Sequence, residues 1–298
     1  MNEKANINKH NSYYDDVLRK FKQHRLAMFG LIFLVIEIIL VFALPAILQL
    51  DAFRSVGDFN GPPSLTYPFG TDSVGRDLFA RVLMGGRVSI TVGLGSACVS
   101  LLIGVPLGLL AGYFRGSVEM VIMRLADSLM SFPSMVLILA LSAALGPSIT
   151  ILTIILGFLG WPEIARLLFA NVISIKEKEY VESALAIGTT TPVILSKYII
   201  PNGISPILIS FTFRTAAAII QESSLSFLGL GVPPPTPSWG NIMFEAQSIT
   251  VLSERPWVWL PSGALLLLTV LSVNFVGDGL RDALDPKTTI ADKGHKIK

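Results

Sequence analysis

The chain has 298 residues, 52% of them apolar and only 15% charged. Soluble domains carry roughly 25% charged residues, so this composition excludes a soluble fold and indicates an integral membrane protein. A net charge of +2 is too small for a nucleic-acid binder.

The lone Cys98 lies in an apolar run, forms no internal disulfide, and reads as a small buried residue. His10, His24 and His295 all lie near the ends, so no protein metal site is expected.

In chain order, residues 15–25 form an amphipathic basic tail with Val17, Leu18 and Phe21 on its apolar side. Such a helix is expected on the inner leaflet, and an ATPase contact is the other reading. Six apolar segments follow, near 26–48, 88–113, 118–145, 149–172, 205–230 and 257–280. Each is long enough for the roughly 20 residues that cross a hydrocarbon core, and backbone in lipid must pair internally, so all six are predicted helices. The first is not a cleaved leader, because its run is long, holds Glu37 and lacks a small-residue cleavage site.

With the N-terminus inside, 17 Lys and Arg residues fall inside and 5 outside, Arg214 being left within a span. The bias places both termini in the cytoplasm. The predicted organisation is a first unit, 1–87, with the tail, one helix and an outside segment. A five-helix core, 88–286, and a cytoplasmic tail, 287–298, complete it.

Glu37 in the first span pairs with a neighbouring helix or a partner subunit. In the second span Gly104, Gly108 and Gly112 recur every four residues around Pro106. That stripe allows close helix approach, either within the chain or at a subunit seam. Asp127 follows Arg124 by three residues, which suggests a local ion pair.

Residues 173–202 break the apolar pattern. A helix over 177–187 is followed by Gly188, suited to a left-handed stop. Thr191 offers a hydroxyl cap with Pro192 at the first helical position, and Pro201 is expected to end this second piece. Val181, Ala184, Leu185 and Gly188 share one helix face, and Glu182 is either a rim carboxylate for a partner's arginine or a solvated charge.

Arg214, Gln221, Glu222 and Ser224 place polar groups inside the fifth span. They line a conduit or make helix-to-helix hydrogen bonds. Beyond them, Pro233, Pro234, Pro235 and Pro237 stiffen an outside loop. Trp239, Trp257 and Trp259 suit an interfacial belt, with a short surface helix near 241–248.

Three blocks occur in order: YPFGTDSVGRDLFARVLMGGR at 67–87, the hairpin with Glu182, Ala184, Gly188 and Pro201, and ESSLSFLGLGVPPPTPSWG at 222–240. Together they resemble the C-type permease subunit of dipeptide, oligopeptide and nickel ABC importers. Ser183 and Tyr198 depart from the family's hairpin pattern.

The resemblance implies an all-α integral membrane fold, one N-terminal helix plus a five-helix type I ABC importer permease core, in the bacterial cytoplasmic membrane. It implies coupling to the ATPases through Glu182, Ala184, Leu185, Gly188, Pro192 and Pro201. The implied partners are a homologous B-type permease, two P-loop ATPases that bind ATP and Mg, and an extracytoplasmic binding protein. The substrate is implied to be a peptide, with nickel, another metal chelate or a glutathione-like solute as the alternative.

No cofactor is expected in this chain and it is not itself an enzyme: no Gly-Lys pair exists for a P-loop. The acidic residues in spans are scattered, which argues against a membrane-embedded enzyme. No internal repeat suggests a secondary transporter.

Overall fold

A computed structural model describes residues 13–285. The predicted cytoplasmic tail 287–298, His10 and His295 lie outside them. Among the described residues every regular element is helical: α1 (Tyr13–Gln23), α2 (Arg25–Ile47), α3 (Leu78–Phe114), α4 (Gly116–Met130), α5 (Ser134–Leu145), α6 (Ile149–Lys176), α7 (Glu179–Ala186), α8 (Thr191–Ile194), α9 (Ile200–Phe227), α10 (Trp239–Met243), α11 (Ile249–Glu254) and α12 (Pro256–Leu284).

The centre of the bundle is the α3/α6 seam. Gly104 faces Ile164, Gly108 faces Ala165 and Leu168, and Gly112 faces Val172. Ser96 Oγ donates to Thr153 O (3.1 Å) and Ser100 Oγ to Gly157 O (2.8 Å). Residue numbers rise together along both helices, so α3 and α6 run parallel. The glycine stripe therefore packs within this chain, and backbones approach because no Cβ intervenes.

Two parallel helices need a return crossing between them, which α4 and α5 supply. The predicted single third span is instead two helices bent by 86° at residues 131–133. Pro133 lacks an N–H and disfavours helix at the residue before it. Ser131 Oγ turns back to Ser128 O at 2.7 Å. With this bent pair counted as one, the described residues hold six segments long and apolar enough to cross a membrane: α2, α3, α4–α5, α6, Thr191–Phe227 and α12.

Other boundaries shift for local reasons. Helix α3 starts ten residues before the apolar run, because the Asp77 side chain caps it by accepting from Phe79 N (2.9 Å). Helix α1 does not keep its apolar face for lipid alone: Phe21 is buried with Ala27 and Ala283 at the end of α12. The described chain thus begins and ends on one side of the bundle, the side carrying the 177–201 hairpin.

Glu37 is buried and accepts from Thr269 Oγ1 (2.7 Å) on α12, so its partner is a neighbouring helix of the same chain. Two sequence readings fail here. Trp239 is wholly buried rather than interfacial, its Nε1 donating to Val82 O (3.1 Å). Cys98 is exposed on the chain's surface, because its side of α3 turns away from α6 and α9.

Candidate coupling surface and translocation path

The hairpin is built on a small apolar floor. Val181, Ala184, Ile194 and Ile199 are buried against Tyr113, Val172 and Ile175. Each large aliphatic side chain buried this way contributes about 1.5–3 kcal/mol. Tyr180 and Tyr198 stack across the hairpin at 6.2 Å, which gives Tyr198 a packing role.

Two polar ties add to the floor: Tyr113 Oη donates to Thr191 Oγ1 (3.1 Å) and Lys176 Nζ to Tyr113 O (2.9 Å). These contacts tie the hairpin to the ends of α3 and α6.

Helix α7 ends as its sequence predicts. Gly188 has φ +81. Thr189 N donates to Ala184 O (3.1 Å) and Gly188 N to Leu185 O (3.0 Å), which is a Schellman stop. A Cβ built at Gly188 meets nothing within 4 Å, so the tip is open. Ile187 beside it is 83% exposed and Leu185 is 37% exposed.

The predicted docking face divides: Val181 and Ala184 hold the hairpin to the core, while Leu185, Ile187 and Gly188 are outside. Ile187 was missed, although a bulky apolar residue before a helix-stopping glycine is a readable signal. Glu182 is exposed, on the rim of a cleft of about 350 Å³ shared with Gly112, Arg115, Lys176 and Leu185.

The second helical piece departs from expectation at both ends. Thr190, not Thr191, is the cap residue, with no side-chain cap bond; Thr191 begins α8 and Pro192 is its second residue. Pro201 does not end it. Ile200 N–H reaches back five residues to Leu195 O in a π turn over Leu195–Ile199. The wider turn accommodates the missing N–H, and the helix continues into the membrane.

The span-five candidates separate. Glu222 is 0% exposed. Its Oε2 accepts from Ser89 Oγ (2.8 Å) and Ser223 Oγ (3.2 Å), and its Oε1 from Ser226 Oγ (2.7 Å). Arg214 is buried against α6, Nη2 donating to Leu156 O (2.6 Å) beside Gly160. Both join helices within the chain. Gln221 and Ser224 are half-buried, and Ser224 lines an apolar hollow with Ile220, Phe227 and Met243.

The first and third motif blocks meet at the far end of the bundle. Arg81 pairs with Asp72 (3.3 Å) and donates to Pro235 O (3.5 Å). Arg76 also pairs with Asp72 (2.7 Å), and Ser73 Oγ donates to Glu245 Oε1 (3.1 Å). Burial pushes the Glu245 carboxyl above its ordinary range, and the Asp72 charge adds to this.

Residues 104–290 match the model of the binding-protein-dependent transport system inner membrane component family, and 12–63 match the N-terminal transmembrane domain of oligopeptide transport permease C. The chain belongs to the binding-protein-dependent transport system inner membrane component family.

The glutathione transport system permease protein GsiD of Pectobacterium atrosepticum is 38% identical over 271 residues, 90% of this chain and 89% of that one. The oligopeptide transport system permease protein OppC of Bacillus subtilis is 37% identical over 278 residues, 93% and 90% of the two chains. A chain of the MetNI methionine ABC transporter, in an inward-facing conformation, matches with TM-score 0.57 and 19% identity, over 70% of this chain and 98% of that chain. The last likeness bears on fold alone. The chain is therefore a multi-pass membrane component of the C-type permease kind, with an all-α permease fold.

Proposed function

We propose that this chain is the permease subunit of an ATP-driven importer that moves peptides across the cytoplasmic membrane. Full-length similarity to an oligopeptide and a glutathione permease supports the peptide class, glutathione being itself a tripeptide.

The observation that carries the mechanism is the hairpin. Its floor is locked to α3 and α6, while Leu185, Ile187 and Gly188 project freely. Partner ATPases hold ATP and Mg and grip this tip, with Glu182 pairing an arginine at the rim. Movement of the tip passes through Tyr113 and Lys176 into the parallel pair at the bundle's centre.

Pro192 favours the start of the second piece and the π turn carries the helix through Pro201, so the arm runs unbroken into the membrane. A sister permease completes the passage, and a binding protein delivers solute at the end where Asp72, Arg81 and Glu245 meet. The hairpin side holds both described ends and the Lys/Arg excess, which supports a cytoplasmic placement. The test is copurification: the tagged chain should bring down a related permease and two P-loop ATPases, and isolation of the chain alone from its native membrane would count against the reading.

A further inference from the structure

One face of the bundle carries charge where lipid would otherwise lie. Arg166 and Glu163 stand ten and thirteen residues before Lys176 in α6, about 15 and 20 Å from the hairpin side. Asp127 on α4 pairs with Arg166 at 2.5 Å, not with Arg124, yet the two side chains remain 54% and 49% exposed. Glu163, one turn from Arg166, is exposed.

Exposed charge at this depth is costly against hydrocarbon and is found facing water or protein. A second observation points the same way. Ser131, one turn beyond Asp127, opens the break between α4 and α5, and residues 131–134 are all exposed. Non-helical backbone at membrane depth is tolerated only where protein buries it or water bathes it.

We infer that Asp127, Ser131, Glu163 and Arg166 form a charged wall of the water-filled passage. A seam with the sister permease fits less well, because charged residues are depleted from interface cores. The wall presents carboxylate, guanidinium and carboxylate in sequence. Resting on the peptide reading above, it suits a zwitterionic solute, whose ammonium and carboxylate ends each find an opposite charge during passage.

Two experiments on the complete complex in proteoliposomes test this. In a Cys98→Ala background, Glu163→Cys and the near-isosteric Ser131→Cys are treated with a charged methanethiosulfonate on both sides. Ile36→Cys, on the exposed apolar flank of α2, is the reference. Thiolates react and thiols in lipid do not, so both wall positions should label at least about tenfold faster than the reference. Labelling at the reference rate would overturn the wall.

Uptake is then compared for tri-alanine and its N-acetylated amide. Glu163→Gln should slow tri-alanine several-fold and leave the capped peptide unchanged; equal effects on both would overturn the zwitterion assignment. Labelling needs no substrate, so a complex that labels as expected but takes up neither peptide keeps the wall and removes the peptide reading alone.

Discussion

Tyr113, at the end of α3, donates its hydroxyl to Thr191 Oγ1 at the start of α8, 3.1 Å away. This bond joins the bundle's central helix to the far arm of the hairpin. Tyr113→Phe keeps the ring on its apolar floor and removes only the bond, about 0.5–1.5 kcal/mol. The complex should assemble with ordinary yield. Hydrogen exchange of the 189–195 amides should accelerate, and hydrolysis stimulated by binding protein should fall relative to basal hydrolysis.

The α3/α6 seam should be intolerant of volume. A Cβ at Gly108 lies 2.6 Å from Ala165 O and 2.7 Å from Leu168 Cβ, and backbone cannot yield cheaply. Gly108→Val should cost about 1–3 kcal/mol or more by overpacking. Gly263 in α12 has nothing nearer than 3.6 Å, and that is the Met243 side chain, so Gly263→Ala should be near neutral. Thermal unfolding of the purified complex separates the two.

The far-end cluster predicts a pH dependence. Glu245 faces Asp72, Arg81 and Ser73, and its carboxyl is held above the ordinary 4.5, first by burial and then by Asp72. A raised folded-state value means the folded protein binds the proton more tightly than the unfolded chain. The stabilisation is full below the ordinary value and is lost as pH rises through the raised one. Glu245→Gln resembles the protonated form at every pH. It should raise the melting temperature at neutral pH, with the gain shrinking towards zero below about pH 4.5.

The sequence made the hairpin legible because its signals are local: Gly188 for a left-handed stop, Pro192 for a start. It was less informative where context decides. Pro201 reads as a terminator, yet the preceding π turn carries the helix through it. Pro133 lies inside one segment that is apolar on average, so hydropathy alone hides the bend. Glu222 looks like a pathway residue, but three serine hydroxyls from α3 and α9 bury it, and Ser89 is too distant in sequence to announce itself. Glu163 gives no motif, and its position becomes informative only when its exposure on α6 is seen.

The bundle separates its two ends, and the proposed topology puts the hairpin end in the cytoplasm. Lys178 is exposed on the hairpin side and Ser64 on the opposite side. In a Cys98→Ala background, Ser64→Cys should label in intact cells with an impermeant reagent, and Lys178→Cys should label only after the membrane is opened. The reverse pattern would invert the topology.

The central claim is that the hairpin carries the ATPases' motion into the membrane, and Gly188 tests it most directly. The residue holds φ +81 in open space, so Gly188→Val meets no neighbour within the chain and the bundle should still fold and pair. A β-branched residue there costs about 1–3 kcal/mol of local strain and adds bulk at the exposed tip. Glu182→Ala should be milder, as expected for a hydrated rim charge. The measurement is ATP hydrolysis by the purified complex with and without loaded binding protein. The account predicts that Gly188→Val loses ATPase recruitment or the stimulation by loaded binding protein; wild-type recruitment together with wild-type stimulation would contradict it.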